Sequence, residues 1–138
     1  MDSVNVSIVR QAYEHYRDGK IGNVTEALTN DVSWRVIGEP NSFAPFGDFE
    51  NHSGALEYFD RLSQVLETDR FAPEEFVASG DTVVVTGRTF GKMKASKQPI
   101  EIEWVHVFKL KDGKISQYRE FLDTARILAA AKVPEPAH

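Results

Sequence analysis

The sequence predicts an α+β fold, an antiparallel sheet with its helices gathered on one face. Three observations carry this. Apolar residues at helical spacing fill the first half of the chain, while alternating and β-branched runs fill the second. The turns in the second half are too short to hold the crossover helix that parallel neighbours need. Asp112-Gly113, set between two long strands, is a strong signal for a two-residue hairpin. Helices followed by a run of strands form the α+β pattern.

The elements follow in order. Residues 4–18 read as a helix, because Val6, Val9, Tyr13 and Tyr16 recur at spacings of three and four; Gly19 fits its C-cap. A short helix over residues 23–28 has Asn23 as a candidate N-cap and ends at Asn30-Asp31. Val32, Trp34 and Val36 alternate with Ser33 and Arg35, which makes a short strand with one apolar face. Residues 38–51 contain two prolines and two glycines and read as a loop. Its three aromatics, Phe43, Phe46 and Phe49, imply something apolar beneath it. A helix over 53–68 buries Leu56, Phe59, Leu62 (or Ser63) and Leu66. Strands follow over 71–78, interrupted by Pro73, and over 82–90, 100–110 and 115–123. A short helix over 124–131 closes one end, and the proline-rich tail 132–138 is expected to fray.

Length and composition set bounds. A chain of 138 residues suits one domain over 1–138, with a core at about 6–130. There are no cysteines, which excludes disulfides, thiol catalysis and thiolate metal sites. A net charge of −5 argues against nucleic-acid and anionic membrane partners. The basic run Lys92 to Lys97 sits at a hairpin tip and reads as a solvated loop. The start lacks the pattern of a signal peptide and no apolar run reaches membrane length, so a cytoplasmic protein is expected. His15, His52, His106 and His138 have no metal-ligand spacing, so no metal is expected.

The last hairpin can be read in register. With Asp112-Gly113 as its turn, Leu110 opposes Ile115, Phe108 opposes Gln117, His106 opposes Arg119, Trp104 opposes Phe121 and Ile102 opposes Asp123. That face is the more apolar and is assigned to the interior. It also carries His106, Arg119 and Asp123, and buried ionisable groups need partners. Three of them on an apolar face suggest a lined cavity. Arg119 and Asp123 lie about 13 Å apart along an ideal strand, so they would meet only if the sheet bends or bulges.

Here the chain resembles the nuclear-transport-factor-two-like superfamily, in its SnoaL-like, ketosteroid-isomerase-related branch. The matching stretches are Val9-Arg10-Gln11-Ala12-Tyr13, Leu28 to Trp34, Phe76 to Val85, Trp104-Val105-His106-Val107-Phe108, Asp112 to Ile115 and Arg119 to Thr124. The resemblance implies a cone-shaped, cystatin-like α+β barrel: a curved sheet wrapped around the N-terminal helices and enclosing an apolar pocket. It also implies a homodimer paired through the outer sheet face, where this register puts Val105, Val107, Tyr118 and Leu122. The chemistry it implies is cofactor-independent acid–base work on carbonyl compounds: isomerisation, enolisation or aldol-type cyclisation. The family's pocket histidine falls on His106, and its late-strand carboxylate on Asp123, or on Glu120 if a bulge shifts the register. Two departures stand out. Val36 occupies the place of the ketosteroid isomerases' acidic base, and their helix tyrosine falls near Ala12, one residue from Tyr13.

The expected function is therefore an enzyme acting on a small apolar carbonyl compound. His106, Arg119 and Asp123 form the catalytic set, and Tyr13, Trp34, Trp104, Phe108 and Phe121 the substrate walls. Each has a plainer reading. His106 suits a satisfied core histidine, Asp123 a helix N-cap, Arg119 an ion pair and the two tryptophans packing. A non-catalytic binding pocket or a dimerisation domain of the same fold stand as alternatives.

Overall fold

Helix α1, Asp2–Arg17, buries Val9 and Ala12. It stops at Gly19, whose φ of 75° suits glycine; the amides of Gly19 and Lys20 return to the carbonyls of Tyr16 and His15 at 3.1 and 2.8 Å. Helix α2, Ile21–Glu26, starts earlier than expected, and no side chain caps it, so Asn23 lies inside the helix. The computed structural model describes residues 2–132; the tail expected to fray lies, from residue 133 on, outside the described residues.

Strand β1 (Leu28–Val36) buries Val32, Trp34 and Val36, as its alternation predicts. The segment 38–51 is not all loop: Gly47–Glu50 is strand β2, antiparallel to β1, with Phe49 opposite Trp34. Four residues are too few to carry a readable alternation. Helix α3, Asn51–Val65, buries Gly54, Ala55 and Tyr58 and holds Phe59 and Leu62 of the expected stripe against the core, with Leu66 just past its end, while Leu56 is 45% exposed. Apolar residues occupy both faces of this helix, so spacing alone does not choose between them.

The remaining strands are β3 (Leu66–Ser79), β4 (Thr82–Met93), β5 (Pro99–Lys111) and β6 (Lys114–Leu122), and helix α4 spans Thr124–Ala131. They form one curved, unclosed six-stranded sheet in the order β2-β1-β6-β5-β4-β3. All pairs are antiparallel except β1 with β6, which run parallel; the long path from β1 through α3 and four strands supplies the crossover. Register shifts in β3 and β6 help such a sheet bend. Helices α1 and α3 pack on its inner face, and the core lies between.

Candidate active site

The site is set by one extra residue in the last hairpin. The turn itself is as predicted. Asp112 and Gly113 both take positive φ, 51° and 79°, and Lys111 faces Lys114 and Leu110 faces Ile115. Then Lys109 faces Gln117, not Ser116. Ser116 is the extra residue, and its hydroxyl donates to the Lys109 carbonyl at 3.1 Å. A one-residue slip turns every later side chain to the other face. Tyr118, Glu120 and Leu122 point toward the helices, and Glu120 faces His106.

This corrects the expected register. Arg119 does not oppose His106; it lies opposite Val107 on the outer face, with its guanidinium 6.0 Å from the Phe121 ring. Phe121 is 40% exposed and does not wall the interior. Asp123 is exposed and caps α4, accepting from the Arg126 amide at 3.1 Å. Tyr118 and Leu122, expected outside, are inside. Tyr13, Trp34, Trp104, His106 and Phe108 do come together around the interior.

The polar centre is a chain of side chains from four elements. The Tyr13 hydroxyl of α1 lies 2.7 Å from His106 Nδ1 on β5. His106 Nε2 lies 3.4 Å from Glu120 Oε1 on β6. The same Oε1 accepts from the Tyr58 hydroxyl of α3 at 3.1 Å and, in a short hydrogen bond, from the Tyr118 hydroxyl. The Glu120 carboxylate faces Nε2 and the Tyr13 hydroxyl faces Nδ1, so both ring nitrogens are engaged. His106 lies flat on Trp104, ring centroids 3.9 Å apart, which fixes its plane.

Glu120 is 12% exposed. Burial alone would raise its carboxyl, but the hydrogen bond and charge of His106, with the hydroxyls of Tyr118 and Tyr58, outweigh that and hold it below the ordinary value. Burial, and then the charge of Glu120, push the hydroxyls of Tyr13, Tyr58 and Tyr118 well up. The same causes take Tyr16 to about 12. The tyrosines therefore stay protonated and remain donors, while Glu120 stays ionised.

Beside this chain is a cavity of about 100 Å³, walled by aromatic and aliphatic side chains, with Phe43, Pro45 and Phe46 among them. No lysine or arginine lines it. Sequence reasoning missed Tyr58, which lies beside the stripe read on α3, and Tyr118, hidden by the register. It reached Glu120 only as the bulged alternative. The signal that would have found Tyr118 and Glu120 is the serine at the bulge, which is weak in a single sequence.

The profile of the SnoaL-like domain matches residues 9–118. The chain belongs to the SnoaL-like domain family. No curated protein matches it. Among solved structures, an NTF2-like protein of unknown function from Burkholderia pseudomallei is similar at 24% identity and a TM-score of 0.87, over 94% of this chain and 98% of that one. An NTF2-like protein from Burkholderia xenovorans is similar at 25% identity and a TM-score of 0.86, over 96% and 98%. TerC, crystallised with polyporic acid, is similar at 25% identity and a TM-score of 0.84, over 93% and 98%. Among the described residues of this SnoaL-like chain, no helix is long and apolar enough to cross a membrane.

Proposed function

We propose that this SnoaL-like protein is a small enzyme that moves a proton on an apolar carbonyl compound bound in the cavity, with Glu120 as the base. The observation that carries this is a nearly buried carboxylate beside an aromatic cavity with no lysine or arginine to neutralise it. A buried ionised carboxylate is costly, and here two hydroxyls and a histidine sustain it. Every one of these contacts falls on Oε1, which leaves Oε2 for a substrate carbon. In the proposed step Oε2 takes the proton next to the carbonyl. The C–H electron pair becomes the double bond of an enolate, and Glu120 returns the proton to the same or a neighbouring carbon. Both ring nitrogens of His106 are engaged, so it acts by holding Glu120 and linking it to Tyr13. Arg119 and Asp123 take no part in this reading. The similarity to TerC, which was crystallised with polyporic acid, supports a small organic ligand in this fold.

The test is hydrogen–deuterium exchange of β-tetralone, an apolar ketone, followed by NMR. Wild-type protein should accelerate exchange at the carbon next to the carbonyl. Glu120→Gln should lose about 100-fold or more of that rate, the scale of one acid–base group. Exchange no faster than in buffer, or undiminished in Glu120→Gln, overturns the proposal.

The outer sheet face supports pairing of two copies. Val77 (64% exposed) and Phe121 flank the half-buried Val84, Val105 and Val107, and Val77 pairs with Val84, Val84 with Val107 and Val105 with Phe121. Such a contiguous apolar patch suits a partner surface. The patch keeps Val105 and Val107 of the one expected, loses Tyr118 and Leu122 and gains Val77, Val84 and Phe121.

A further inference from the structure

The polar groups around Glu120 are already in use, and one of its two oxygens is not. Tyr58 and Tyr118 donate to Oε1, His106 Nε2 lies on the same oxygen, and the Tyr13 hydroxyl is taken up by His106 Nδ1. We propose that the cavity takes small apolar amines in their protonated form, an ammonium N–H donating to Glu120 Oε2, in preference to neutral molecules of the same shape and against the corresponding carboxylates.

Access to Oε2 is the first support. Among the described residues, the side-chain polar atoms that are both occluded and without a partner are Thr29 Oγ1 and Trp34 Nε1. Glu120 Oε2 also has no partner among them, yet it is not one of the occluded atoms. It therefore opens on free space, and the space that the Glu120 side chain borders is the cavity. An unpaired buried acceptor is costly, and a donor brought by a ligand relieves that cost.

Charge is the second. Glu120 stays ionised, and no lysine or arginine lines the cavity. Of the other titratable groups in the wall, the four tyrosines stay protonated, and both nitrogens of His106 are engaged inside the protein. The hydroxyls of Tyr16, Thr68 and Thr89 belong to wall residues too, but a hydroxyl can donate or accept and does not sort ligands by charge. The charged atom that a ligand meets is therefore a carboxylate oxygen. A cation entering apolar surroundings needs such a partner, and a hydrogen bond between two charged groups is about twice as strong as a neutral one. A carboxylate ligand would meet like charge with no cation beside it. An amine seated on Oε2 covers the oxygen read above as the base, so it competes with the carbonyl compound. This rests on the cavity being the ligand site, as proposed above.

The test is binding, so that it stands apart from catalysis. Affinities for 2-aminotetralin, tetralin and 2-carboxytetralin, one ring system carrying a cation, no charge and an anion, are measured by calorimetry near neutral pH. Wild-type protein should bind the amine about tenfold or more tighter than tetralin, the scale of one hydrogen bond between charged groups, and the acid more weakly than tetralin. Glu120→Gln should lose about tenfold or more of the amine affinity and keep that for tetralin. Attraction of a cation to the acidic surface alone would survive this substitution. The comparison of three ligands on wild-type protein needs no variant, so it decides the matter even if Glu120→Gln is unstable. No binding of the amine, equal affinity for amine and hydrocarbon, an acid that binds as well as the amine, or an amine affinity undiminished in Glu120→Gln overturns the inference. Charge selectivity without β-tetralone exchange would sink the acid–base reading and leave the cation site standing; exchange that depends on Glu120, with no preference for the amine, would do the reverse.

Discussion

Gly87→Ala tests how the site is held, because Gly87 lies where the sheet and the cavity wall come closest. A Cβ built there would stand 2.4 Å from Trp104 Cη2, 2.5 Å from Cζ2 and 2.6 Å from the Ala72 carbonyl oxygen. Carbon atoms in contact sit about 3.5–4.0 Å apart, so the overlap exceeds 1 Å. Ala72 O is backbone of a paired strand and yields little, so Trp104 must move. Trp104 is buried, stacks on Phe71 at 5.0 Å and on His106 at 3.9 Å, and donates to Thr89. Overpacking of this kind costs about 1–3 kcal/mol, and alanine recovers about 0.5–1 kcal/mol of it through lower chain entropy. The net is a loss of about 0.5–2 kcal/mol. Unfolding entropy of roughly 2.1 cal/mol/K per residue gives about 0.29 kcal/mol/K for a chain of this length, so Tm falls by about 2–7 °C. Displacing Trp104 also tilts His106 away from Glu120, and β-tetralone exchange should fall by more than about tenfold. Calorimetry and the exchange assay check both. A Tm at or above wild type together with full exchange would refute the idea that Trp104 sets the plane of His106.

Two further outcomes follow from the same geometry. Glu120 is held below its ordinary value in the folded protein, so its contribution to stability is fully present above the unfolded value of about 4.5 and is lost as pH falls through the lower folded value. Urea unfolding from pH 7 to pH 3 should therefore show a wild-type advantage over Glu120→Gln that is constant near neutrality and shrinks in acid; an advantage that grows in acid contradicts the assignment. On the outer face, Phe121→Asp places a charge in the apolar patch and should convert a wild-type dimer to a monomer by light scattering, at little cost in Tm because Phe121 is 40% exposed; a monomeric wild type, or a variant that stays dimeric, removes the pairing reading.

Long-range order was legible in the sequence and local phase was not. Strand β5 announces its inner face through Ile102, Trp104, His106, Phe108 and Leu110, because period-two alternation is sustained over a whole strand and one side is uniformly apolar. The Asp112-Gly113 turn is equally plain, since few residues accept positive φ twice in a row. Helix α3 is not plain, because Leu56, Tyr58, Phe59 and Leu62 leave two apolar faces, and the choice between them is made by Trp34 and Glu120, distant in sequence. Strand β2 is stabilised by its pairing with β1 and by Phe49 against Tyr58, and nothing in its four residues proclaims a strand.

The bulge at Ser116 decides the chemistry of the site. Without it, the cavity side of β6 would carry Gln117, Arg119 and Phe121, so a guanidinium would face His106 with no carboxylate beside it. With it, that side carries Tyr118, Glu120 and Leu122, and the pair across the strands becomes an acid and a base in contact. Alternation along β6 is nearly as good in either phase, because each alternate set mixes polar and apolar residues: Ile115, Gln117, Arg119 and Phe121 in one, Ser116, Tyr118, Glu120 and Leu122 in the other. The phase is set by costs outside the pattern. Arg119 turned inward would bury a cation with no acidic partner, while Glu120 turned inward meets two hydroxyls and an imidazole already fixed on α3, β6 and β5. Turned outward, Arg119 lies beside Arg35, whose charge is met by Asp48 at 3.0 Å, in reach of water. The folded protein thus resolves the choice between two candidate carboxylates through the solvation of a neighbouring arginine, and Asp123, one residue past the end of β6, is left free to cap α4.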